Sequence, residues 1–124
     1  MIVIDGSNVA MEHTRGRLFS VQGLKICIDY FLRRGHVVKA FVPRFRYIIQ
    51  CAAEFDGVVV SGDNYKDLIQ ENPRWRYVIE NRVLPFTWVN NMIMFPKDPF
   101  GRGGPTLETL LRHPTPSNSR NENK

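Results

Sequence analysis

Apolar and polar positions along this chain follow two periods, and each period marks a different kind of element. Met1-Ile2-Val3-Ile4 and Gly57-Val58-Val59-Val60 are short, unbroken apolar runs, one stopped at Asp5 and the other at Ser61-Gly62-Asp63. Runs of that length, without alternation, predict strands buried on both faces. Between them, Ser20 is placed to cap a helix from Val21 to Arg34, with Leu24, Cys27, Ile28 and Phe31 on one face and Gly35 as its stop. Val37-Val38 and Ala40-Phe41-Val42 predict a second strand, ended by Pro43 because proline cannot donate to a ladder. Arg44 to Phe55 predicts a second helix, with Phe45, Ile48, Ile49 and Ala52 on one side. Further on, Asn72 caps and Pro73 opens a helix to Arg82, with Trp75, Val78 and Ile79 turned inward. Leu84 to Val89 predicts a strand, Asn90-Asn91 its turn, and Met92 to Phe95 a short returning partner. Glu12 to Phe19 is polar and predicts a surface loop, and Thr106 to Arg112 predicts a short helix after the glycine-rich segment Pro96 to Pro105.

A strand, a helix and a strand in this order require parallel pairing and a right-handed crossover, so the fold class is α/β with a Rossmann-like parallel sheet. The expected strand order is second, first, third. Ligands of such sheets collect outside the carboxyl ends of the strands, which puts Asp5 at the mouth of a cleft with Ser7 and Asn8 on the adjoining loop. If Asn64 to Leu68 turns helically, Asp63 and Asp67 share a face at i, i+4 spacing. Like charges so placed call for a cation between them, and oxygen-only donors suit Mg²⁺ or Mn²⁺.

Composition narrows this picture. The 124 residues make one domain, of which 43% are hydrophobic. No apolar stretch approaches the roughly eighteen residues of a membrane span. The opening Met-Ile-Val-Ile lacks a basic leader and meets Asp5 at once, so a signal peptide is not expected and the cytoplasm, or the nucleus, is the expected location. Cys27 and Cys51 both fall on apolar helix faces and are expected as buried free thiols. The net charge of +5 fits a polyanionic partner. Residues 1–50 hold eight Lys and Arg against three acids, whereas residues 51–124 hold nine of each, so the basic excess lies in the first part. A solvated helix face accounts for Arg33 and Arg34, while Arg15 and Arg17, after Asp5, are placed for phosphate contacts. Trp75 and Trp88 could stack on bases, but both occupy apolar-periodic positions expected in the core.

Five blocks in order carry a family resemblance: Asp5-Gly6-Ser7-Asn8-Val9-Ala10-Met11; Phe41-Val42-Pro43; Asp56-Gly57-Val58-Val59-Val60-Ser61; Asp63-Asn64-Tyr65-Lys66-Asp67-Leu68; and Asp98-Pro99-Phe100-Gly101-Arg102. Together they resemble the Regnase-like NYN ribonucleases, a branch of the PIN-like nucleases. The resemblance covers Met1 to about His113, leaving residues 114–124 as a polar tail expected to be disordered. It implies Mg²⁺-dependent endonucleolytic cleavage of RNA, of the mRNA-decay type, with Asp5, Asp63 and Asp67 matching the family's acidic positions. One departure stands out. Family members carry additional residues between the Phe-Val-Pro block and the helix before Asp56, including an Asp-Asp pair. Here Arg44-Phe45-Arg46 runs straight into Tyr47-Ile48-Ile49-Gln50, and Phe45 stands where an acid is expected. Nothing in the chain has Cys and His at zinc-finger spacing.

The expected chemistry is metal-assisted hydrolysis, with Asp5, Asp63 and Asp67 holding the ion and Asn8 orienting the scissile phosphate or a metal-bound water. Arg15, Arg17, Arg44, Arg46 and Arg102 are the candidate RNA contacts. A non-catalytic RNA-binding or protein-interaction module is the other reading, because two carboxylates of the family pattern are absent; a homo-oligomer is compatible with either. His13, His36 and His113 are scattered, no Ser or Cys has a base partner, and no phosphate-binding glycine loop is present, which argues against triad and dinucleotide chemistry. Phosphatases that use a strand-end acid want a second Asp two residues on, where this chain has Ser7.

Overall fold

Alternation within the first strand sets the architecture. The computed structural model describes residues 1–42 and 45–112, with the side chains of residues 45 and 46 outside that description. In β1 (Ile2–Asp5), Ile2 and Ile4 face one side of the sheet and Val3 the other, each at most 1% exposed. A strand dry on both faces belongs in the middle of a sheet. Accordingly β1 pairs in parallel with β2 (Val38–Phe41) on one flank and β3 (Val58–Val60) on the other. The two-residue β4 (Val83–Leu84) then adds in parallel to β3, giving the order β2-β1-β3-β4. The expected fold class and the order of the first three strands hold.

Each face is covered by its own helices. On one side Cys27 and Phe31 of α2 (Val21–Arg33) pack with Ile2, Ile4, Val58, Val60 and Leu84. On the other, Ile48, Ile49 and Ala52 of α3 (Phe45–Phe55) meet Val3 and Val59, joined by Val78 and Ile79 of α5 (Arg76–Asn81). Ser20 caps α2 as expected, its hydroxyl accepting from Gly23 N–H at 2.9 Å. Burial pushes the Cys27 thiol up to about 12, and both cysteines are free.

Three stretches differ from the pattern. Gly6–His13 is a helix, α1, so Ser7 and Asn8 stand in its first turns and not on a loop. Gly6 is required there: a Cβ would lie 2.8 Å from the carbonyl oxygen of Phe41, so only glycine lets α1 start this close to β2. The helix expected over Pro73–Arg82 is divided into a 3₁₀ turn at Pro73–Trp75 and α5. The strand expected over Leu84–Val89 is divided as well. Val83–Leu84 joins the main sheet, whereas β5 (Thr87–Val89) pairs antiparallel with β6 (Met92–Met94) in a separate hairpin. Pro85 sits at the break, where it supplies no ladder donor. A last helix, α6 (Leu107–Leu111), is capped by Thr106. Among the described residues no helix is long and apolar enough to cross a membrane.

β2 is an edge strand, with Lys39 and Ala40 exposed within it and Val37 and Val42 exposed beside it. That is the flank on which the family's additional residues were expected. The expected tail, 114–124, lies outside the described residues.

Phe31 is fully buried and touches Tyr30 and Phe95 with ring centroids at 5.0 and 5.3 Å from their partners. Phe31→Ala is expected to lower stability by about 3–5 kcal/mol. Urea unfolding should show the midpoint fall with an unchanged slope; a loss under about 1 kcal/mol would mean that this face of the sheet is not packed as described.

Candidate active site

Asp5 closes β1, and its carboxylate has nowhere to go but inward. It is 2% exposed, and an ionised group so placed is tolerated only when its oxygens find donors. They do. Oδ1 accepts from Asn8 N–H at 3.2 Å, which makes Asp5 the N-cap of α1. Oδ2 accepts from the hydroxyls of Ser61 at 3.0 Å and Tyr65 at 2.5 Å. Burial, followed by the charge of Asp5, pushes the Tyr65 phenol far above its ordinary pKa, so it stays a donor at any working pH.

The same two residues reach Asp63. Ser61 Oγ accepts from Asp63 N–H at 3.0 Å, and Asp63 Oδ1 accepts from Tyr65 N–H at 3.0 Å. Asp63 thus forms a tight side-chain turn outside α4 (Lys66–Glu71), while its carboxylate stays exposed. Tyr65 sits in the left-handed region at φ 54, and this ends any helical path from Asn64 to Leu68. Asp63 and Asp67 therefore share no helical face, correcting that expectation. Asp67 lies exposed in the first turn of α4, where a negative charge complements the helix dipole.

Among the described residues no three acid, His or Cys side chains come together to hold a metal ion. Two carboxylates remain at the mouth, Asp5 and Asp63, connected through Ser61 and Tyr65. This donor set suits Mg²⁺, which commonly takes one or two carboxylates, several waters and substrate phosphate, and it does not make a protein-only cage.

Asn8 is also at the mouth. Its Oδ1 accepts from Gly62 N–H at 2.8 Å, so it fixes the loop after β3 against α1. Ser7 Oγ donates to the carbonyl of Val42, tying α1 to the end of β2. His13, the last residue of α1, bonds Ser20 at 2.6 Å and Asn91 at 2.9 Å and lies against Trp88, so it joins α1, α2 and the hairpin. Arg15 is exposed and lines a cleft that reaches Gly62; Arg17 is exposed on the same loop. Arg102 is exposed on the turn after Gly101 and does not line that cleft. Arg44 and the side chain of Arg46 lie outside the described residues.

Ser61 and Tyr65 were not singled out from the sequence as site residues, although both stand within the family blocks. An apolar run that ends in a serine, 1% exposed in the fold, was the available signal for Ser61. Tyr65 had none, because its reach to Asp5 depends on the left-handed turn. Tyr65→Phe leaves the buried carboxylate short of a donor and is expected to cost about 1–3 kcal/mol in chemical unfolding; an unchanged midpoint would show that the hydroxyl does not support Asp5.

Comparison with known proteins places this geometry. The sequence pattern of the Zc3h12a-like Ribonuclease NYN domain matches residues 1–48 and again 46–109. The endoribonuclease rege-1 of Caenorhabditis elegans is 37% identical over 153 aligned positions, which take in 89% of this chain and 24% of that protein. The chain spans about a quarter of that relative's length. With a parallel sheet in the order β2-β1-β3-β4, an acid closing its central strand and a family match over nearly all of its described length, the chain belongs to the Zc3h12a-like ribonuclease NYN domain family.

Proposed function

We propose that this chain is an endoribonuclease domain that takes an RNA strand across the carboxyl edge of its sheet and cleaves it, with Mg²⁺ or Mn²⁺, at a reduced rate. The observation that carries this reading is the coupling of Asp5 to Asp63 through Ser61 and Tyr65 at that edge. Asp5 and Asp63 are the residues that would hold the cation, which supplies a polarised phosphoryl oxygen and a water of lowered pKa when bound. The protein's own part is positional. Asn8 holds the Gly62 loop beside Asp5, Ser61 bonds the Asp5 carboxylate and the Asp63 backbone N–H, and Arg15 and Arg17 offer positive charge to the incoming phosphates. Two causes reduce the rate. The family's Asp-Asp pair is absent, and parts of a site that acts as a unit are not additive when lost. Tyr65 and Ser61 also occupy Oδ2 of Asp5, which leaves Oδ1, bonded to Asn8 N–H, as the oxygen that would serve a cation. The free, shielded Cys27 fits a reducing compartment, and we place the domain's action on RNA in the cytoplasm.

The engagement of both Asp5 oxygens by protein donors also favours a second reading, an RNA-binding module without cleavage. Cleavage of single-stranded RNA with Mg²⁺ or Mn²⁺ separates the two. The chain is expected to cut slowly but at least about ten-fold faster than Asp5→Asn, a difference of roughly 1.4 kcal/mol in barrier. Equal, negligible cutting by both would leave the binding module. RNA affinity should fall with salt, and replacing Arg15 and Arg17 by Ala should reduce the slope by roughly 0.7 for each phosphate no longer neutralised. An unchanged slope would remove these arginines from the binding surface.

A further inference from the structure

The cleft beside Gly62 has a volume of about 550 Å³, within the roughly 300–1,000 Å³ of small-ligand sites. It lies between the end of α1 and the β5–β6 hairpin, and its walls differ sharply in chemistry. Phe86 and Trp88 supply aromatic surface, Glu12 a carboxylate, Arg15 a guanidinium and Asn90 a carboxamide. These groups play no part in the network around Asp5. The aromatic wall is held in place: Trp88 Nε1 donates to Val9 O at 3.3 Å, the His13 ring lies 4.5 Å from the indole, and Phe86 meets it edge-on at 6.5 Å. A wall already ordered costs little further entropy when a flat ligand stacks on it.

The cleft is also joined to the acidic mouth. Asn8 and Glu12 stand about one turn apart on the same face of α1, about 6 Å along its axis. Asn8 binds Asp5 through its backbone N–H and Gly62 through its side chain, and Gly62 lines the cleft. A group in the cleft is therefore one helical turn from the site where the phosphate would sit.

We infer that this cleft is the binding site for a guanine base of the RNA strand, next to the phosphate at Asp5 and Asp63. The inference rests on the RNA-directed reading above and adds a base preference to it. Every nucleobase can stack on Phe86 and Trp88, so the aromatic wall does not discriminate. Glu12 does. An ionised carboxylate only accepts, and its two oxygens are best matched by two parallel N–H donors. Guanine presents that pair at N1 and N2. Adenine and cytosine set a single amino group beside a ring nitrogen that repels the second oxygen, and uracil flanks its one N–H with two carbonyls. Asn90 offers an amide donor for the guanine O6, and Arg15 offers charge for the nucleotide's phosphate. Because Glu12 reads the pairing edge, the base has to be unpaired, which makes the substrate single-stranded at this position.

Titration of the whole chain with each of the four 5′-ribonucleoside monophosphates, without metal and followed by NMR at the Trp88 indole N–H, tests this apart from catalysis. Trp88→Phe assigns the signal. Guanosine monophosphate is expected to shift it and to bind about ten-fold more tightly than the other three, the lower end of discrimination by a bidentate pair. Glu12→Gln, an exposed substitution that should leave the fold intact, is expected to bring the four affinities within about two-fold of one another. Equal affinities in the unaltered chain, a guanine preference that survives Glu12→Gln, or no shift by any nucleotide at millimolar concentration would each overturn the assignment. Guanine selectivity with no RNA cleavage would uphold the cleft and overturn the nuclease reading, whereas cleavage without selectivity would do the reverse.

Discussion

Burying the carboxylate of Asp5 at the end of a strand with no exposed face is the constraint around which this domain is arranged. A charge at 2% exposure has to be met by donors from whatever lies near it, and three separate pieces of chain answer. Asn8 comes from α1, Ser61 from the end of β3, and Tyr65 from the segment before α4. One acid thereby starts a helix, aligns the loop after the neighbouring strand and draws in a tyrosine from cover on the far side of the sheet. Removing it would leave those donors facing one another, which is why a strand-end acid can be structural and chemical at once. Polar networks of this type are worth more than their separate bonds, and they leave little freedom in how the mouth is built.

The sequence leads one to expect the family's additional residues beside β2, an edge of the sheet. β1 keeps both of its partners, so the centre of the sheet is complete. β2 ends the sheet, with Lys39 and Ala40 exposed. An edge with unpaired backbone groups is a liability that natural sheets blunt by charge and shortness, and β2 has both, at four residues with Lys39 among them.

The hairpin gives the domain a second surface, apart from the main sheet. β5 and β6 do not join the main sheet, and their attachment runs through His13, Asn91 and Trp88 to α1 and the cap of α2. A histidine placed by sequence on a solvated loop therefore proves to be a structural joint. The space left between α1 and the hairpin is the cleft, and the hairpin reaches it after the chain leaves the main sheet beyond Leu84.

The sequence by itself determined the α/β class, the central position of β1, the cap and core face of α2, and the location of Asp5 at the carboxyl edge. Each of these follows from local periodicity or a capping residue, both of which act within a few neighbours along the chain. Tertiary structure decided the rest. Gly6–His13 reads as a loop because Gly, Ser and Asn favour turns, and it becomes a helix because Asp5 caps it while Val9 and Ala10 are buried. Asp63 and Asp67 read as a helical pair, and the left-handed Tyr65 separates them so that its hydroxyl can meet Asp5. Which acids meet, and what else meets them, depends on bonds between residues nearly sixty positions apart, and no local pattern carries that information.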